Sequence, residues 1–165
     1  MLITKKKLQE LRACREARRF FKKHYKEIEV GELLRDVLQY KQEVEKYGSD
    51  IYNWCYWLII SILSRKAAVQ FAVYAAEKVL YIYEDKYPQD LRPRKAIEAA
   101  KTCLENPNSE TARAAASAAA YDTARAAARA ARAAEVDPRL KDEILEFGIQ
   151  LMKNASQLPN KEETK

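Results

Sequence analysis

Apolar residues recur along the chain at intervals of three and four, which predicts a series of amphipathic helices. The first helix is expected to run from an N-cap at Thr4 to about His24. Its inward face comprises Leu8, Leu11, Cys14, Ala17 and Phe21. A second helix is expected over residues 32–47, where Gly48 is suited to end it. The first 48 residues therefore predict two helices.

The longest apolar run covers residues 51–63 and leaves almost no polar face, which predicts a third helix surrounded by the others. Either Ser49 or Asp50 can cap this helix. Crossing a bilayer takes roughly 20 residues, so this shorter run is assigned to the core rather than to a membrane span. A fourth helix is expected from Ser64 to just before Pro88, with a break separating it from the third.

The second half of the chain predicts three further helices. Pro93 is suited to the first turn of a fifth helix ending near Glu105, and Asp137 with Pro138 to the start of a seventh. Between them, residues 109–134 contain Ala at 15 of 26 positions and predict an alanine-rich sixth helix. The pattern therefore predicts an all-α fold, a single compact bundle of about six or seven helices around the alanine-rich helix.

Composition supports one helical domain over residues 1–155, followed by a frayed polar tail over residues 156–165. The chain has only 3 Gly and 5 Pro, which break helices. Three widely spaced cysteines in apolar or helical stretches are expected to be reduced and buried: Cys14, Cys55 and Cys103. The first residues lack the order of charges and apolar residues of a secretory signal, so a cytoplasmic location is expected.

The sequence lacks the usual catalytic constellations. His24 is the single histidine, so neither a histidine-paired nucleophile nor a metal site with several histidines is available. Three isolated glycines cannot build a phosphate-binding loop. No catalytic residue, metal site or cofactor is therefore predicted, and His24 is interpreted as an ordinary surface residue.

Positive charge is concentrated near the N-terminus. The whole chain carries +6, whereas residues 1–26 hold ten Lys or Arg against two Glu, a local net charge of +8. A cationic stripe is predicted on the outward face of the first helix, comprising Arg12, Arg15, Arg19, Lys22 and Lys26. Such a stripe is either a solvated face or a contact for an acidic partner or a phosphate backbone.

A second polar stripe is predicted on the alanine-rich helix. Its members fall at positions i, i+3, i+7 and i+10 and are Asp122, Arg125, Arg129 and Arg132. The stripe is either a solvated face with an ion pair or, if other helices flank it, a groove whose guanidinium groups grip phosphate or carboxylate.

Aromatic residues leave two interpretations open. Trp54, Trp57 and Tyr121 could stack a nucleobase, although their helical spacing favours a place in the core. Buried tyrosine and tryptophan need polar partners, and Glu77 is a candidate for that role. A buried polar network would therefore explain these aromatic residues as well as a ligand site would.

Two segments before the alanine tract carry a family resemblance. They read Tyr74-Ala-Ala-Glu-Lys-Val-Leu and Tyr87-Pro-Gln-Asp-Leu-Arg-Pro-Arg-Lys-Ala-Ile-Glu-Ala-Ala. With the tract, they resemble the alanine-rich putative immunity proteins encoded by bacteria and phages. The resemblance implies a small non-enzymatic protein that neutralises a toxin or a host-defence factor inside a bacterial cell. It assigns no individual role to the matching positions, which are Glu77, Asp90, Arg92, Pro93, Arg94 and Asp122.

These observations leave three binding functions open. The first is an antagonist that covers an acidic surface of a toxin or defence component with the cationic stripe. The second is a sponge that sequesters an anionic nucleotide signalling molecule among Arg92, Arg94, Arg125 or Arg129, with an aromatic stack. The third is non-specific nucleic-acid binding through the cationic stripe, with affinity that falls steeply as salt is added.

Overall fold

The structure is a computed structural model that describes residues 1–48, 50–105 and 138–157. Two short strands are present, β1 (Leu2–Thr4) and β2 (Glu27–Glu29). The helices of the first half are α1 (Lys5–Glu10), α2 (Arg15–His24), α3 (Val30–Asp36), a 3₁₀ turn (Val37–Tyr40) and α4 (Lys41–Glu45). They are followed by α5 (Ile51–Ile62), α6 (Arg65–Lys86), α7 (Arg92–Glu105) and α8 (Pro138–Gln157).

The first predicted helix is divided into α1 and α2, so the prediction of one continuous helix is wrong. Thr4 caps α1 as expected, with its hydroxyl accepting a hydrogen bond from the Lys7 amide at 3.1 Å. Arg12 then adopts a positive φ of 60°, which ends the helical hydrogen-bond ladder. Cys14 becomes the N-cap of α2 and accepts from the Ala17 amide at 3.4 Å. This capping role leaves Cys14 exposed, which corrects the expectation that it is buried.

The N-terminus contributes a two-stranded antiparallel sheet that the sequence pattern did not predict. β1 pairs with β2 so that Ile3 lies opposite Ile28. Three residues are too few to establish the alternation by which a strand is recognised in a sequence. Ile3 is fully buried, so the sheet closes one end of the hydrophobic core.

The second predicted helix is also divided, into α3, the 3₁₀ turn and α4. Its predicted end is confirmed, because Gly48 has a φ of 70° and its amide donates to the Glu45 carbonyl at 2.9 Å. That backbone conformation is readily available to glycine. The segment is therefore helical as predicted, but it consists of two short α-helices joined by a 3₁₀ turn.

The predicted break between the third and fourth helices is confirmed. Asp50 caps α5 by accepting from the Tyr52 amide at 2.8 Å. Leu63 then has an extended ψ of 146°, and the Ser64 hydroxyl caps α6 by accepting from the Ala67 amide. α6 contains 22 residues, and Pro93 lies in the first turn of α7 as predicted. Local capping signals therefore located the ends of the longer helices.

The main core forms where α5, α6 and α8 meet. Ile59, Phe71 and Ile144 are fully buried there. Gly148 brings α8 close to its neighbours, since a Cβ atom at this position would lie 2.7 Å from Ile59 Cδ1. A smaller cluster joins α6 to α7 and comprises Val69, Val73, Ala76, Ile97 and Ala100.

Polar contacts fix α8 to three other helices. Arg35 of α3 forms two hydrogen bonds of 2.9 Å with Glu146, and Lys78 of α6 pairs with Glu143 at 2.6 Å. The Tyr56 hydroxyl of α5 donates to the Lys141 carbonyl at 3.0 Å. These contacts orient the helix that the buried apolar residues hold in place.

The predicted all-α class is confirmed, with the small sheet as an addition. The alanine-rich helix predicted over residues 109–134 lies outside the described residues, as do residues 158–165 of the predicted tail. Among the described helices, none combines the length and apolar character that a membrane crossing requires. The assignment of residues 1–155 to one domain stays a prediction.

Candidate functional site

The helix α2 separates apolar from cationic side chains. Phe20 and Phe21 are buried on its inner side, where Phe20 contacts the ring of Trp54 at a centroid distance of 5.8 Å. At 3.6 residues per turn, the opposite side carries four cations. We call this set the α2 basic face; it comprises Arg15, Arg18, Arg19 and Lys22.

Most of the α2 basic face is exposed and lacks acidic partners. The Arg15 side chain is 76% exposed, and its contact with the adjacent Glu16 is long, at 3.4 Å. Arg19 and Lys22 are exposed and form no ion pair within the described part of the chain. Positive charge on this face is therefore available to a partner.

The structure divides the predicted cationic stripe. Arg15, Arg19 and Lys22 share one side of α2, as the spacing predicted. Arg12 lies instead in the turn before α2, and Lys26 follows its end, although both are exposed. The prediction of one continuous stripe is therefore wrong, because the positive φ of Arg12 interrupts the helix on which it depended.

Arg18 is a member of the face that the sequence reasoning missed. Its side chain is half-buried, and its Nε is buried without a hydrogen-bond partner in the ranges that the structure describes. A buried donor without a partner costs free energy, about 1–3 kcal/mol in typical cases. Its spacing of three from Arg15 and four from Lys22 was the signal that could have placed it on this face.

His24 is not an ordinary surface residue, which corrects the prediction. Its side chain is only 14% exposed, and its Nε2 lies 3.0 Å from Glu43 Oε2 of α4. The ring contacts Tyr40 at a centroid distance of 4.2 Å. The Lys23 ammonium also donates to Glu43, at 2.8 Å, and this bond together with His24 lowers the pKa of the Glu43 carboxyl. These contacts attach the end of α2 to α4 and so fix the orientation of the α2 basic face.

Arg92, predicted as a ligand contact, is paired within the chain. Its Nε donates to Asp90 Oδ1 at 2.8 Å and its Nη2 to Oδ2 at 2.7 Å, while the Tyr83 hydroxyl donates to Oδ2 at 2.6 Å. The bonds from Arg92 and Tyr83 lower the pKa of Asp90 below its ordinary value. Arg92 therefore braces the connection between α6 and α7.

Arg94 and Glu77, also predicted as contacts, are paired between α6 and α7. Arg94 donates from Nε and Nη2 to the two carboxylate oxygens of Glu84, at 2.8 and 2.7 Å. Glu77 is exposed and pairs with Lys101, so it does not serve a buried aromatic side chain. Both pairs tie the two helices together, and their charges compensate each other. The exposed cations of the α2 basic face have no such compensation.

Trp54 and Trp57 occupy the core-facing positions that their helical spacing favoured. Both are half-buried and pack against the main core. Trp54 also stacks on Tyr47, with ring centroids 6.3 Å apart. The remaining predicted site residues lie outside the described residues and stay predictions: Tyr121, Asp122, Arg125, Arg129 and Arg132.

An apolar cavity of about 50 Å³ lies beneath α2, where Leu8, Phe21 and Trp57 contribute to its lining. Pockets for small organic ligands occupy roughly 300–1,000 Å³, so this cavity is too small for a nucleotide. Burial raises the pKa of the Cys55 thiol to about 12, which keeps this group protonated at neutral pH. In the described ranges, no group of three or more His, Cys, Asp and Glu side chains could hold a metal ion.

The fold and this surface define a helical protein with an exposed cationic face. Residues 58–137 match the family of the Imm-5 like putative immunity protein, and this match confirms the predicted resemblance. The match supports an immunity-type role in general terms. The matched segment includes the end of α5 and all of α6 and α7, whereas the α2 basic face precedes it. No curated protein and no solved structure matches the chain.

Proposed function

We propose that this chain is a non-enzymatic binding protein that neutralises a toxin or a host-defence component by covering part of its surface. The contact is made by the α2 basic face, which docks on an acidic region of the partner. The match to an immunity family supports neutralisation through a partner protein. The proposal adds the surface that performs it.

The observation that carries the proposal is the cluster of exposed cations on one face of α2, which contrasts with cations that are paired within the chain. Arg92, Arg94 and Arg35 each form two hydrogen bonds with one carboxylate of the same chain. Arg19 and Lys22 have no acidic partner within the described residues. Unpaired charge of one sign accelerates association with a complementary surface, by 10-fold or more at low salt.

The nucleotide-sponge hypothesis receives less support from the described residues. Arg92 and Arg94 already bind carboxylates, and a ligand would have to break these pairs before either guanidinium could contact it. The cavity beneath α2 is apolar and holds about 50 Å³, and the wider depression of about 460 Å³ beside Arg92 is open to solvent and does not enclose a ligand. Arg125 and Arg129 lie outside the described residues, so their part of this hypothesis stays a prediction.

The test begins with capture of the partner on the immobilised chain at low salt, followed by elution at high salt. The purified partner is then assayed for toxicity or defence activity with and without the chain. The informative variant combines Arg15→Glu, Arg19→Glu and Lys22→Glu. A matched control combines Arg65→Glu, Lys66→Glu and Lys95→Glu, because these exposed cations lie on α6 and α7 and the net charge changes equally.

We expect the wild-type chain and the matched control to inhibit the partner. The α2 variant is expected to associate at least 10-fold more slowly at low salt, while its circular dichroism spectrum stays helical. Equal inhibition by the α2 variant and the control would contradict the assignment of this face. A small molecule that accounts for the activity without any protein partner would contradict the proposal itself.

A further inference from the structure

The chemistry of the partner follows from the α2 basic face, and this inference rests on the proposed function. An unmodified protein offers negative side-chain charge as Asp and Glu carboxylates. Two of the exposed cations, Arg15 and Arg19, are arginines. A guanidinium presents donors in a planar fork that matches both oxygens of a carboxylate, whereas an ammonium acts as a point charge.

The spacing on α2 defines how the opposing carboxylates are arranged. Arg15 and Arg19 are four residues apart, which corresponds to a rise of about 6 Å along the helix, and Lys22 lies about 4.5 Å further. Carboxylates at positions i, i+4 and i+7 of another helix repeat the same spacing. An acidic helix packed alongside α2 would therefore place one carboxylate opposite each of these cations.

The surroundings of the face disfavour stacked nucleobases. Phe20 and Phe21 of α2 are buried on the opposite side, and the His24 ring packs between Phe20 and Tyr40. Single-stranded nucleic acids depend on aromatic platforms that lie in the same groove as the cations. No described member of the α2 basic face is aromatic, so charge and guanidinium geometry are what this face offers.

Arg18 also lies on the α2 basic face, and its side chain is half-buried. Its Nε is buried beside the exposed cations and has no hydrogen-bond partner among the described residues. A docking carboxylate does not reach this buried nitrogen, so Arg18 contributes positive charge to the face through the rest of its half-buried guanidinium. The half-buried guanidinium is held in place before contact, which lowers the entropy lost on binding.

We infer that the α2 basic face recognises a row of carboxylates at positions i, i+4 and i+7 of an acidic helix, about 6 and 4.5 Å apart, through Arg15, Arg19 and Lys22. Arginine geometry, and not charge alone, sets the affinity. Exchange of arginine for lysine preserves the charge but removes the planar fork, and so separates these two contributions.

The test uses two defined helical peptides of identical composition and a 20-base-pair DNA duplex. One peptide carries Glu at i, i+4 and i+7 in successive repeats, whereas the other distributes the same Glu residues around the helix. Binding is measured by fluorescence anisotropy at low salt with the full chain. The variant Arg15→Lys/Arg19→Lys is compared with a control, Arg65→Lys, which makes the same exchange away from α2.

We expect the aligned peptide to bind at least 5-fold more tightly than its isomer, and the double lysine variant to lose this preference. The Arg65→Lys control should retain it. Equal binding of the two peptides, no binding of the aligned peptide, or tighter binding of the DNA duplex would overturn the inference. If the preference fails but Glu substitutions on α2 still abolish inhibition of the captured partner, the proposed function stands and only the carboxylate geometry is wrong.

Discussion

Replacement of Gly148 by Ala tests how closely α8 packs against the main core. A Cβ atom there would lie 2.7 Å from Ile59 Cδ1 and 2.9 Å from Phe71 Cε2. Both neighbours are fully buried, so neither side chain can turn toward solvent to make room. Excess volume in a packed core typically costs about 1–3 kcal/mol.

Helix propensity opposes this cost, because alanine is favoured over glycine in a helix interior by about 1 kcal/mol. The expected net loss from Gly148→Ala is therefore about 1 kcal/mol in the free energy of unfolding, within a range of roughly 0–2. For a chain of this size, that loss lowers Tm by about 2–4 °C. The assay is urea unfolding followed by circular dichroism, together with a thermal scan.

A double-mutant cycle with Ile59→Val makes the reasoning refutable. The valine lacks Cδ1, the atom closest to the new Cβ, and this change alone costs about 0.5–1.5 kcal/mol. The double variant should be more stable than the sum of the two single losses predicts, by at least about 0.5 kcal/mol. Strict additivity, or a stability gain of about 1 kcal/mol from Gly148→Ala alone, would refute the close approach of α8.

Three further predictions follow from polar and thiol groups. The Arg35 hydrogen bonds lower the pKa of Glu146 below its ordinary value of 4.5, so the stability from this pair is present above that unfolded-state value and is lost as pH falls through the lower folded-state value. The urea midpoint of unfolding, measured between pH 3 and 7, should therefore decrease toward pH 3. This decrease should be smaller in Glu146→Gln, and an equal decrease in the two proteins would speak against the pair. In the folded protein, thiol reagents should modify Cys14 rapidly but reach buried Cys55 and Cys103 only after unfolding, as counted by mass spectrometry; rapid modification of all three would contradict the described burial. Cys14→Ser should retain the N-cap of α2, whereas Cys14→Ala should lower the free energy of unfolding by about 0.5–1 kcal/mol, and equal midpoints for the two variants would argue against capping by this side chain.

The parts of the fold that were predicted correctly carry local signals. Asp50, Ser64 and Pro93 have side chains or rings whose effect on a helix end depends on neighbours only a few residues away. Gly48 ends its segment through a backbone conformation that glycine favours. Such positions can be identified from sequence because the responsible interaction is contained in the segment.

The parts that were missed depend on distant contacts or on unusual backbone. Arg12 adopts a positive φ without being Gly or Asn, so no residue type marked the division between α1 and α2. The strand β1 exists because it pairs with β2, more than twenty residues later in the chain. A three-residue strand has no pattern of its own before that pairing is known.

The candidate site was likewise predicted where it depends on local spacing and missed where it depends on distant contacts. Helical spacing placed Arg15, Arg19 and Lys22 together, since all three lie on one uninterrupted helix. The same reasoning could not show that Arg94 is neutralised by Glu84, because that pair joins two different helices. Whether a cation is free or paired is a tertiary property, which the spacing of residues within one helix does not reveal.

Native mass spectrometry of the chain purified gently from its own cells tests the central claim most directly. The account predicts a complex with a second protein of defined stoichiometry, which dissociates as ionic strength increases. The complex should be lost in the variant with Glu at Arg15, Arg19 and Lys22, and retained when Arg65, Lys66 and Lys95 are changed instead. A bound small molecule in place of a protein, or a protein complex equally abundant in both variants, would contradict it.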